Sequence, residues 1–155
     1  MKYLLILLTA VLVSCSSTKQ ANTVQEISFR TIKANNNSGY NEPTTLVISN
    51  ETDFMKAWET VWMRFSDVPA LPEINFEESQ LAFIALGMKN NGGYTLEVEK
   101  VIEEKGSITI HYIENQPGEK CISTQAIVFP AVFVQIPKNT KKMVFKRSEK
   151  IVDCK

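Results

Sequence analysis

Apolar residues along most of this chain follow the two-residue repeat of β-strands. Strict alternation of apolar and polar positions, typical of half-buried strands, occurs at residues 25–32, 94–98 and 107–113. Continuous apolar or β-branched runs predict further strands at residues 44–49, 81–87, 130–137 and from 143 onwards. With the turns between them, these segments predict about seven or eight strands.

One segment follows the helical repeat instead. Asn50 is a good N-cap residue, and Asp53 can answer it in a capping-box-like start. Apolar side chains then recur at helical spacing, at Phe54, Ala57, Trp58, Val61, Trp62 and Phe65. Residues 66–69 end in a proline and predict the end of a long helix there. A stripe rich in aromatic rings favours packing on a sheet over a ligand groove.

The turn at the centre of the chain carries the residues best suited to recognition. We predict that residues 81–87 and 94–98 belong to one sheet, joined by Asn90, Asn91, Gly92, Gly93 and Tyr94. The glycines permit positive φ or a close approach of another backbone, and the asparagines and tyrosine offer polar contacts. A purely structural turn is the alternative, and it would place Tyr94 inward with Leu96 and Val98.

These elements predict an α+β, β-rich fold, a mainly antiparallel sheet or sandwich with one long amphipathic helix packed on it. Residues 103–106 predict a hairpin turn, and residues 114–118, which contain Pro-Gly, predict a second turn. Prolines bracket the strand at 130–137, which favours an edge or near-edge position. Residues 24–155 have the length of one ordinary domain, so we predict a single globular domain.

The N-terminus predicts export and a lipid anchor. A short apolar run, Leu4 to Val13, follows Lys2 and ends in small residues, so residues 1–14 are predicted to be a signal peptide. The tetrapeptide that ends at Cys15 resembles a bacterial lipobox, in which the cysteine is acylated; a plain signal peptide is the alternative. Residues 15–23 have the composition of a flexible tether. We expect a membrane-anchored lipoprotein of the bacterial cell envelope, on the periplasmic or surface face, with the outer membrane as the expected site.

Export also determines what the other cysteines are expected to do. Only Cys121 and Cys154 remain after Cys15, and disulfides persist in exported proteins. A Cys121–Cys154 disulfide is therefore predicted, and closing that loop stabilises a fold by about 3 to 4 kcal/mol on the chain-entropy estimate. A reactive thiol is the alternative, but the chain has no CxxC motif and a single histidine.

Composition and motifs argue against several classes of function. The 17 basic and 17 acidic residues balance, which gives no reason to expect nucleic-acid binding. His111 has no companion ligand set, so no metal is predicted. Phosphate-binding glycine loops and nucleophile motifs are missing from the sequence. We therefore expect a protein that is not an enzyme and that uses no cofactor or small-molecule substrate.

Several short motifs together resemble a known family, the PrcB-like domain. They are the loop Ser38-Gly39-Tyr40, Leu46-Val47-Ile48, Trp58 in the helix, Pro72 to Phe76, Ala82 to Gly87, Asn91 to Val98 and Val134 to Lys138. The resemblance spans roughly residues 26–146. The family more often has Pro-Thr before the glycines, where this chain has Asn90 and Asn91. The family is named for an accessory lipoprotein subunit of a bacterial surface protease complex.

The resemblance implies an accessory or stabilising subunit that binds a protein partner, an exported protease being one possibility, through a sheet edge and residues 90–94. A peptidase inhibitor is the alternative, because this loop faintly resembles the Asn-Pro-Thr-Thr-Gly-Tyr loop of chagasin-type inhibitors. Those inhibitors also carry an Arg-Pro-Trp turn, which this chain lacks. A structural envelope lipoprotein without a discrete partner is a third possibility.

Overall fold

The computed structural model describes residues 24–153, which form two mostly antiparallel four-stranded sheets and one helix. The predicted β-rich fold class is confirmed. The elements are β1 (Gln25–Ile27), β2 (Arg30–Asn35), β3 (Pro43–Ile48), α1 (Glu51–Trp62), β4 (Ser79–Leu86), β5 (Thr95–Glu103), β6 (Ser107–Pro117), β7 (Ala131–Pro137) and β8 (Lys142–Val152). One sheet has the order β2-β7-β4-β3 and the other the order β1-β5-β6-β8.

The adjacent strands β4 and β7 are buried on both faces. Leu81, Phe83 and Phe133 pack with the apolar side chains of α1 on one face. Ala82, Ile84 and three β7 residues pack on the other face against the second sheet. We call β2-β7-β4-β3 the covered sheet, because the helix packs on it, and β1-β5-β6-β8 the open sheet. The result is three layers with two apolar cores.

The helix starts where the sequence predicts. The Asn50 side chain accepts a hydrogen bond from the Asp53 amide at 2.9 Å and donates one to the Asp53 carboxylate at 2.8 Å. The predicted stripe is buried from Phe54 to Trp62.

The helix is shorter than predicted. It ends at Trp62, and the Phe65 amide bonds to the Trp62 carbonyl, three residues back, at 2.9 Å. The guanidinium of Arg64, just past the helix, donates a hydrogen bond to the carbonyl of Ser38, between β2 and β3, at 2.7 Å. It also lies over the ring of Phe129. Phe65, three residues beyond the end of the helix, is partly exposed.

Two predicted strand arrangements are wrong for one reason, the position of β7. The strand at 130–137 lies inside the covered sheet, between β2 and β4, and not at an edge. Pro130 and Pro137 lie outside residues 131–135, the part of β7 that pairs with both β2 and β4. The prolines therefore remove few of the backbone N–H donors that the sheet needs. Because β3 and β7 occupy both sides of β4, β5 cannot pair with β4. Residues 81–87 and 94–98 therefore belong to different sheets.

The first predicted strand, residues 25–32, is divided in two. β1 pairs with β5 in the open sheet, and β2 pairs with β7 in the covered sheet. The break falls at Ser28 and Phe29, where the chain passes from one sheet to the other. Ile27 and Phe29 both pack in the core between the sheets, which explains why their alternation continues through the break.

Candidate binding site at one end of the sandwich

The predicted recognition turn is a connection between the sheets, and it is held by another loop. We call residues 87–94 the crossing segment and residues 118–130, between β6 and β7, the return loop. Lys89 and Val128 exchange two backbone hydrogen bonds, at 2.8 and 3.0 Å, and the Gly92 amide donates to the Thr124 carbonyl at 2.9 Å. These bonds fix the crossing segment against the return loop.

Gly92 and Gly93 serve close packing. Among the described residues the positive φ belongs to Gly87, at 72°, so Gly92 and Gly93 do not adopt the positive φ that glycine allows. A Cβ on Gly92 would overlap the Thr124 side chain, and a Cβ on Gly93 would lie 2.8 Å from Cβ of Pro117. The two glycines therefore permit a close approach of other residues. Those residues belong to β6 and the return loop of this protein and not to a partner.

The other predicted residues divide between structure and surface. Asn91 Oδ1 accepts a hydrogen bond from the Gly93 amide at 3.0 Å, which stabilises the turn locally. Asn90 is exposed. Tyr94 precedes β5 and is half-buried, with Lys89 Nζ 5.5 Å from its ring centroid, whereas Leu96 and Val98 pack against the core between the sheets. Asn90 is therefore the member of this set that is most available to a partner.

A buried carboxylate lies directly below the crossing segment. Glu114 is 1% exposed, and its Oε1 lies 2.8 Å from Nζ of Lys89. Its Oε2 lies 2.8 Å from Nη2 of Arg147, in ion-pair range although the angle is outside that of a hydrogen bond. Arg147 also bridges to the more exposed Glu149 at 2.7 Å. The ion pairs thus connect the crossing segment, β6 and β8.

The predicted turn at residues 114–118 is wrong, because β6 continues to Pro117. Glu114 is on the inward face of β6, which also carries Ile110 and Tyr112. A buried charge must be paired, and here a cation on each side satisfies it. Burial raises the pKa of the Tyr112 hydroxyl, with a smaller lowering by Arg147 and a further rise from Glu114. The alternation of β6, continued through Glu114, is the sequence signal that could have shown this inward carboxylate.

A cavity of about 310 Å³ opens beside the crossing segment. It is lined by Gly92, Gly93, Pro117, Cys121, Ile122, Ser123, Thr124 and Val152. Ile122 is fully exposed, at 103%. Met88 and Ile127, on the crossing segment and the return loop, are also more than half exposed. A preformed cavity with exposed apolar side chains beside it is suited to receive an apolar side chain of a protein partner.

The cysteine predictions stay predictions. Cys15 and Cys154 lie outside the described residues. Cys121 Sγ lies 3.2 Å from the carbonyl oxygen of Val152. Val152 is the last residue of β8 and comes two positions before Cys154 in the sequence. The return loop and the C-terminal strand therefore meet at the cavity.

The remaining observations concern His111, metal ligands and membrane-spanning helices. His111 is half-buried on the outer face of β6. Within residues 24–153, no three His, Cys, Asp or Glu side chains are grouped to hold a metal ion. In the same residues, no helix is long and apolar enough to cross a membrane.

The fold is a β-sandwich with a helix packed on one sheet, and its candidate site lies at one end. Residues 81–137 match the family model described as PrcB C-terminal. This segment runs from β4 through β7 and includes the crossing segment, Glu114 and the return loop. The predicted resemblance over residues 26–146 is thus supported for less than half of the chain. No curated protein and no solved structure matches the chain.

Replacing Glu114 with glutamine should destabilise the domain by about 3 kcal/mol, because Lys89 and Arg147 would be left without their buried counter-charge. Glu149→Gln is the matched control. It removes a more exposed carboxylate from the same arginine and should cost less than about 1 kcal/mol. Urea unfolding of both variants measures the difference. Equal losses of stability would show that the buried ion pairs do not hold this end of the sandwich together.

Proposed function

We propose that this chain is a lipid-anchored, non-enzymatic protein of the bacterial cell envelope that binds an exported protein as an accessory or stabilising subunit, an exported protease being the first candidate. The match of residues 81–137 to the PrcB C-terminal family carries this proposal, because the matched segment contains the crossing segment and most of the cavity lining. The lipobox-like sequence ending at Cys15 supports the anchor.

The position of the site relative to the anchored end supports the same function. Gln25, the first strand residue after the predicted tether, pairs with Glu103 at the hairpin end of β5. The crossing segment joins the opposite end of β5, at Thr95. A nine-residue strand spans roughly 27 to 30 Å. An anchor on the N-terminal tether would therefore leave the candidate site at the far end of the sandwich, accessible to another envelope protein.

The surface at that end suits protein binding better than catalysis. The fully exposed Ile122 lines a cavity whose walls are fixed by backbone hydrogen bonds and close glycine packing. The exposed Asn90 lies two residues before Gly92 of its lining. Such a preformed apolar pocket with polar residues at its rim is typical of the centre of a protein interface. Peptidase inhibition has less support, because Gly92 and Gly93 are packed against the return loop and do not project as a plug.

Cys15→Ala should release the protein from the membrane, because each methylene buried in the bilayer contributes about 0.8 kcal/mol and the anchor would be lost. Salt-washed membranes and the soluble fraction are compared by immunoblot. Ser14→Ala, which keeps the cysteine, is the matched control and should remain with the membrane. Persistence of the Cys15→Ala protein in washed membranes would contradict the lipid anchor.

Ile122→Ser combined with Asn90→Ala should abolish capture of the partner while leaving the melting temperature within about 2 °C, since both side chains are exposed and surface changes cost little. Tagged protein is used to capture partners from native envelopes, and the captured proteins are identified by mass spectrometry. Val47→Ser, on the exposed part of β3, is the control and should capture the same proteins as the unaltered chain. Identical captured sets from all three proteins would remove this surface from the proposed function.

A further inference from the structure

The C-terminal strand β8 has an open edge. It is an outer strand of the open sheet and pairs in parallel with β6 over its whole length of 11 residues. The other outer strands have three to six residues. Along its outer side, β8 therefore offers the longest row of backbone donors and acceptors among the described strands.

The outer face of β8 is basic. Met143 and Phe145 pack toward the core, so the alternation of a strand places Lys142, Lys146 and Lys150 on the outer face. They stand four residues apart, or roughly 13 Å. All three are exposed, and within residues 24–153 they form no ion pair.

The basic character continues across the sheet. Lys146 is opposite His111 of β6, and His111 is opposite Lys100 of β5. This places Lys100 and Lys146 on the same face of the open sheet, with one strand between them. Two carboxylates of this face, Glu26 and Glu97, belong to β1 and β5 and not to β8. The β8 side of the face thus carries uncompensated positive charge in a chain that is neutral as a whole.

We propose that β8 binds an acidic, extended segment of a protein partner, which adds to the open sheet as a further strand. The backbone edge supplies the hydrogen bonds of strand addition, and the three lysines supply charge complementarity to alternate acidic side chains of the segment. A second copy of this chain is a poor occupant of the edge, because pairing two β8 strands would bring lysine rows together.

This inference deepens the proposed function, on which it rests for the nature of the occupant. Val152, the last residue of β8, also lines the cavity beside the crossing segment. A segment bound along β8 would therefore lead directly to the cavity. The edge would select an acidic strand, and the cavity would hold an apolar side chain at the end of it.

The test uses a synthetic peptide of alternating threonine and glutamate, as long as β8, added to the ¹⁵N-labelled full chain. We expect chemical-shift changes concentrated in β8 amides and an affinity that falls as salt is added. Lys146→Glu should weaken binding about fivefold. Lys56→Glu, which makes the same charge change on the helix at the other face of the molecule, should not alter it.

A peptide of alternating threonine and glutamine is the comparison ligand. Equal binding of this peptide, unchanged affinity in Lys146→Glu, or no change in β8 amides would overturn the proposal and leave the lysines as residues that only protect the edge from aggregation. Self-association of the unaltered chain through β8 would overturn it as well. The result is independent of partner capture through Ile122, so failure here and failure of the proposed function can be distinguished.

Discussion

The burial of β4 and β7 on both faces is the constraint on which the rest of the structure depends. Phe83 and Phe133 are opposite each other across this strand pair, and their tilted rings are in contact on the helix side, with 4.7 Å between the ring centroids. Ala82, Ile84 and Val134 face the open sheet. A strand pair with two apolar faces requires a cover on each face. The amphipathic helix is one cover, and the inward residues of β5, β6 and β8 are the other.

The candidate site follows from that constraint. Since β3 and β7 occupy both edges of β4, the chain must leave the covered sheet after β4 and cross to β5. The crossing segment would expose backbone and lysine charge at the end of the sandwich if nothing held it there. The return loop pairs with its backbone, and the Glu114 carboxylate forms ion pairs with Lys89 and Arg147. The return loop and Glu114 of β6 thereby hold the crossing segment in place at the end of the sandwich.

The sequence predicted well what depends on neighbouring residues. The Asn50 cap, the apolar stripe of α1, the buried run at 81–87 and the β5–β6 hairpin all follow from local spacing and turn chemistry. Strand partners could not be predicted in this way, because periodicity shows that a face is buried and not which strand lies beside it. For that reason the sequence predicts β4 and β5 as neighbours and β7 near an edge, and the fold has neither arrangement.

Part of the site was also predictable and part was not. Residues 90–94 were recognised from their composition, but only the fold shows that Asn91 and the two glycines hold the turn while Asn90 remains exposed. The Pro-Gly pair at residues 117–118 predicts a turn that includes Glu114. The burial of Glu114 depends on two cations that are distant in sequence. Lys89 lies 25 residues before it, and Arg147 lies after it, in β8. Charge pairing over such separations leaves little local trace in a sequence.

Site-specific photocrosslinking in cells tests the central claim most directly, that the end of the sandwich formed by the crossing segment and the cavity binds another protein. A photoreactive side chain is placed at Asn90, on the crossing segment, and in a second protein at Val47, which is exposed on β3 of the covered sheet. The account predicts a crosslinked protein adduct from position 90 and none from position 47. An adduct from position 47 alone, or from neither position, would contradict it.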